Sequence, residues 1–116
     1  MKDLDTLING FIQLNMEGKI LQLCEKYYAD EIVMTSDGKP FASSRAEAAA
    51  KQKPYVDAIA AFVITLISKD VDGDKAEITF HYDITTTENR NFVFTGKHIQ
   101  HWVDGKVIRE DYEMVV

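Results

Sequence analysis

Apolar residues recur every three or four positions in the first half of the chain and every second position in the last third. Leu4, Leu7, Ile8 and Phe11, continued by Leu14 and Met16, have helical spacing, with Asp3 or Asp5 placed to cap the start. Gly18 punctuates the chain, and Ile20, Leu23, Cys24 and Tyr27 form the stripe of a second helix. Asp30 to Thr35 reads as a short strand, closed by a loop over Ser36 to Pro40. Ser44 and Glu47 match a capping box that opens an alanine-rich third helix. Pro54 removes an amide donor there, so the helix is expected to kink or restart. Ala61 to Lys69 is β-branched and apolar on both faces, the pattern of an interior strand.

From Ala76 to Val116 the alternation predicts three long antiparallel strands. Ala76, Ile78, Phe80, Tyr82 and Ile84 share one face of the first. Phe92, Phe94, Gly96, His98, Gln100 and Trp102 share one face of the second. Ile108, Glu110, Tyr112 and Met114 share one face of the third. Asp104-Gly105 is a hairpin signal. A two-residue loop there sets His98 opposite Asp111, and a three-residue loop with a bulge sets it opposite Glu110. Odd-length loops at both turns bring the three apolar sets together, whereas even loops scatter them. The odd register is therefore expected. Helices precede a curved antiparallel sheet, which makes an α+β domain spanning residues 1–116.

With 46% hydrophobic and 28% charged residues, the chain has the balance of an ordinary globule with a real core. The net charge of −6 and the scattered Lys and Arg argue against nucleic-acid binding. A single cysteine, Cys24, excludes an internal disulfide and the multi-cysteine zinc patterns, and its expected state is a buried thiol. No basic segment leads into a long apolar run, and no stretch is long enough to span a bilayer. A cytoplasmic protein is expected. No phosphate loop, calcium loop or nucleophile elbow is present. His81 and His101 fall on the face opposite His98, so a three-histidine metal site is not expected, and no cofactor is implied.

The chemistry concentrates on the apolar face. His98, Gln100, Glu110 and the hydroxyls of Tyr82 and Tyr112 must pair with one another, with water or with a ligand. His98 with Glu110 suits proton transfer near neutral pH, or else a buried pair that fixes register. Either phenol can donate to a ligand carbonyl. Catalytic candidates are His98, Glu110 and Tyr112. Ligand-binding candidates are Tyr82, Phe80, Phe94, Gln100 and Trp102, with Met34 and Tyr55. On the outer face Val63, Ile67, Val93 and Ile99 form an apolar strip, where a homodimer is expected.

Several segments resemble the SnoaL-like polyketide cyclases of the nuclear transport factor two-like superfamily. They are Gly96-Lys97-His98-Ile99, the turn Asp104-Gly105-Lys106-Val107 with the closing strand, and Tyr28-Ala29-Asp30-Glu31 at the first strand. The resemblance covers essentially the whole chain. It implies helices packed on a curved sheet that forms a cone-shaped pocket, and it also suggests the homodimer. His98 falls on that family's pocket histidine. Tyr112 stands where its catalytic aspartate would, a departure from the pattern. The basic aspartate of the ketosteroid isomerases, which share the fold, maps near Ser36, beside Asp37. Two readings follow. One is an enzyme moving a proton on an apolar carbonyl compound, as in isomerisation, aldol cyclisation or dehydration. The other is a module that binds such a ligand, or dimerises, without reaction.

Overall fold

Helices α1 (Leu4–Met16) and α2 (Ile20–Tyr27) lead into strands β1 (Tyr28–Ser36) and β2 (Lys39–Ala42). Helix α3 (Arg45–Asp57) follows, and then β3 (Ile59–Asp72), β4 (Lys75–Thr86), β5 (Asn91–Val103) and β6 (Lys106–Val115). The computed structural model describes residues 3–115, so Val116 of the expected last strand lies outside the described residues. The six strands form one sheet in the order β2-β1-β6-β5-β4-β3. All neighbours are antiparallel except β1 and β6, which run parallel. No described helix is long and apolar enough to cross a membrane.

Local chemistry starts α1 and α3. The Asp3 carboxylate accepts from the Thr6 amide at 2.8 Å. Ser44 Oγ accepts from the Glu47 amide at 3.0 Å, while the Glu47 carboxylate reaches back to the Ser43 amide at 2.8 Å. Helix α1 buries Ile8, Phe11, Ile12 and Asn15, a stripe at one, four, five and eight along the face.

Three expectations are corrected. Helix α3 runs unbroken through Pro54. The proline sits in the last turn, where it costs only the bond to Ala50, whose backbone is at the solvent face. The stretch after Ser36 is a hairpin into β2: Asp37 and Gly38 both have positive φ, 49° and 80°, and Ser36 pairs with Lys39. Strand β3 lies at the sheet edge rather than inside it. Its Ile64 and Leu66 serve the core, while Val63 and Ile67 on the other face stay exposed. Apolarity on both faces did not require a strand on both sides.

The phase of β4, β5 and β6 is the expected one, reached by a different device. Asp104-Gly105 is a two-residue turn with Val103 paired to Lys106. A bulge then leaves Ile108 unpaired between Val107, opposite Trp102, and Arg109, opposite His101. His98 consequently pairs with Tyr112, and Gln100 with Glu110. The bulge restores the parity that an odd loop would have given, shifted along the strand by one pair. Phe80, Trp102, Gln100 and Glu110 thus share the buried face.

Candidate functional site

A cavity of about 520 Å³ opens between the concave face of the sheet and the helices. The sheet supplies Met34, Ile64, Tyr82, Phe94, His98, Glu110 and Tyr112, and the helices supply Phe11, Asn15 and Leu23. Tyr55, at the end of α3, stands at the lining with its side chain largely in solvent (73% exposed). Among the described residues no Lys, Arg or Asp is in the lining, and the groups there that can carry charge are His98 and Glu110, besides the phenols.

Glu110 is 2% exposed and takes every donor around it. Gln100 Nε2 donates to its Oε1 at 2.6 Å, and the Tyr28 hydroxyl donates to Oε2 at 3.0 Å. Trp102 Nε1 holds Gln100 in turn, donating to its Oε1 at 3.0 Å. His98 Nδ1 lies 3.3 Å from Glu110 Oε1, at an angle that misses good hydrogen-bond geometry. Among the described residues it has no other partner. Burial pushes the Glu110 carboxyl up, but the His98 charge, with the bonds from Gln100 and Tyr28, outweighs it. The net result lies below the ordinary carboxylate value. Glu110 is therefore an ionised carboxylate in an apolar wall, stabilised by two side chains that donate to it, Gln100 and Tyr28, and by His98 beside it.

On the other side of the imidazole, His98 Nε2 is 2.8 Å from the Tyr82 hydroxyl. The Tyr82 oxygen also accepts from Asn15 Nδ2 at 3.1 Å. Phe80 and Tyr112 meet the His98 ring edge to face, with centroids 5.6 and 5.2 Å away. Tyr82 stacks on Phe94 with centroids 4.9 Å apart. Burial pushes both phenols up, Tyr112 to about 12 with help from the Asp37 and Glu110 charges. Both hydroxyls therefore keep their protons at neutral pH, as donors must.

Tyr112 owes its position to Gly96. A Cβ on Gly96 would come within 2.6 Å of Tyr112 Cε2 and would overlap its hydroxyl. Gly96→Ala should push the ring into the cavity. We expect a loss of about 1–3 kcal/mol in chemical denaturation, with a visibly smaller cavity in a crystal structure.

Of the residues singled out in the sequence, His98, Glu110, Tyr112, Tyr82, Phe94, Met34 and Tyr55 meet at this cavity. Phe80, Gln100 and Trp102 stand one layer behind the lining, because Phe11 of α1 packs between the helices and that part of the sheet. Gln100 reaches the cavity through Glu110, and Trp102 through Gln100 and through Phe11. His81 and His101 face the other side, against Thr95 and Asp74. Asp37 accepts from the Met114 amide at 2.8 Å and so ties down the end of β6. The sequence reading missed Asn15 and Tyr28. Asn15 had a signal: it is the polar member of the apolar stripe Ile8, Phe11, Ile12. Tyr28 had none, since its partner is 82 positions away.

No protein-family model matches the sequence, and no curated protein does. Solved structures do match. A candidate SnoaL-like polyketide cyclase from Mesorhizobium loti superposes with a TM-score of 0.78 at 16% identity, over 96% of this chain and 98% of that one. A second candidate SnoaL-like polyketide cyclase, from Jannaschia sp. CCS1, gives 0.79 at 10% identity, over 98% and 90%. The chain has the SnoaL-like, NTF2-like fold. An NTF2-like protein of unknown function from Burkholderia pseudomallei gives 0.77 at 11% identity, over 99% and 92%. At such identities the likeness is one of architecture.

Proposed function

We propose that this NTF2-like chain binds a small, neutral, largely apolar ligand bearing a carbonyl group, inside the cavity. The observation that carries the reading is a lining with no Lys, Arg or Asp among the described residues, joined to hydroxyl donors at Tyr82 and Tyr112. A carboxylate or phosphate ligand would enter without a counter-charge and beside Glu110, which is unfavourable in an apolar site. A carbonyl oxygen asks only for a hydrogen-bond donor. About 520 Å³ is also within the range of small-molecule sites.

The Glu110–His98–Tyr82 series favours a second reading, proton transfer on the bound ligand. An imidazole beside a carboxylate can pass a proton to or from a ligand, and a phenol beside it can stabilise charge on the carbonyl oxygen. That is the chemistry of isomerisation, aldol cyclisation and dehydration. The apolar outer strip, with Val63, Ile67 and Val93 exposed, supports a homodimer through that face.

A series of bicyclic and tricyclic ketones, assayed by thermal shift and by isothermal titration, tests the first reading. Saturable binding by at least one is expected, with no binding by the corresponding carboxylic acids. Preference for the acids would overturn it. Exchange of hydrogen for deuterium at the carbon next to the carbonyl, in heavy water with protein present, tests the second. Exchange no faster than in buffer would leave binding without reaction.

A further inference from the structure

We infer that the Tyr82 hydroxyl is a ligand donor switched by the protonation of His98, with Asn15 fixing its direction. The inference deepens the proposed carbonyl site and rests on it for its ligand.

It begins at Glu110. Both carboxylate oxygens accept hydrogen bonds, and His98 Nδ1 faces Oε1 at 3.3 Å with no other partner among the described residues. A bare nitrogen lone pair held against a carboxylate is repelled, so Nδ1 carries a hydrogen. A neutral imidazole has one N–H, which leaves Nε2 bare. Nε2 therefore accepts the Tyr82 hydrogen across 2.8 Å. The Asn15 amide donates to the Tyr82 oxygen from the helix side, which closes that direction to the phenol's own hydrogen. The hydrogen has two destinations left, Nε2 or the cavity.

Protonation of His98 removes the first. Nε2–H then donates to the Tyr82 oxygen, whose second lone pair is free to accept it, and the phenol hydrogen turns into the cavity. There it meets the acceptor of a bound ligand. Neutral His98 masks the donor, and the imidazolium exposes it. The titratable groups packed round His98 are Glu110 and Tyr112 on β6 and Tyr82 on β4, with Tyr28 on β1 and Cys24 on α2 behind Glu110. Burial pushes the three phenols and the thiol up, Tyr112 and Cys24 to about 12. Glu110 titrates below its ordinary value. By linkage, a ligand that accepts from Tyr82 must bind better to the protonated form and must stabilise that form equally.

Two measurements test this on the whole protein. Nitrogen-15 NMR of the free protein, with the His98 signals assigned through His98→Gln, reads the tautomer. Above the His98 titration the expected form has Nδ1 protonated and Nε2 bare, and a protonated Nε2 overturns the switch. The second uses 1-tetralone, a bicyclic ketone, titrated at a series of pH values. Affinity should rise about tenfold as pH falls through the His98 midpoint, and saturating ketone should raise that midpoint by about one unit. Tyr82→Phe should abolish both effects. Affinity that is flat in pH, or a slope that survives in Tyr82→Phe, overturns the switch. If 1-tetralone does not bind at all, the carbonyl site itself is weakened, and the tautomer decides the switch separately.

Discussion

Replacing Glu110 by alanine should lower the unfolding free energy by about 3–5 kcal/mol, the range for breaking a buried charged network. The substitution leaves the Tyr28 hydroxyl, Gln100 Nε2 and His98 Nδ1 aimed at an empty space inside an apolar wall. Each orphaned donor pays its desolvation cost, and a cavity is added. Glu110→Gln keeps the volume but turns one amide N–H₂ against a donor, so a smaller loss of about 1–3 kcal/mol is expected. Urea denaturation monitored through Trp102 measures both. A loss below about 1 kcal/mol for the alanine variant would mean that the network does not hold β1, β5 and β6 together. The same carboxylate sets an acid limit. Its folded-state pKa lies below the ordinary 4.5, so its stabilisation is fully present above that value. The contribution is lost as pH falls from there through the lower folded value. Asp111, held low by Arg109, adds to the loss in the same direction. Glu110→Gln should therefore flatten part of the acid limb of stability against pH, and an unchanged limb would contradict the direction assigned to Glu110.

Replacing His98 by glutamine should cut ligand hydrogen exchange or turnover by about 10²–10⁴-fold, the range for removing a general base. Ketone binding should change far less. His98 lies between Tyr82 and Glu110, and its ring packs on Phe80 and Tyr112. Glutamine retains polarity there but cannot take a proton. The comparison that matters is the fall in rate against the fall in stability, since a register-fixing pair would lose stability alone. If exchange proceeds at the wild-type rate in His98→Gln, proton transfer by His98 is excluded and the binding reading stands.

The alternation from Ala76 to Glu113 was enough to place His98, Glu110, Tyr82 and Tyr112 on one buried face, because side-chain direction in a strand has a period of two. Pairing was not legible to the same degree. The bulge at Ile108 moved His98 from Glu110 to Tyr112, and it depends on how the strands twist together. Edge position was hidden as well: β3 carries an interior composition, but its neighbours are chosen by the whole sheet. The capping box at Ser44, the helical stripes and the place of the Asp104-Gly105 turn, though not its length, rest on contacts between near neighbours, and the sequence determined them by itself. Only the tertiary structure could bring Asn15 to Tyr82 and Tyr28 to Glu110, across 67 and 82 positions. It alone set Phe80, Gln100 and Trp102 behind the cavity. The physical reason is range: local hydrogen bonds and periodicity are written in adjacent residues, whereas which buried donor meets which acceptor is settled by packing.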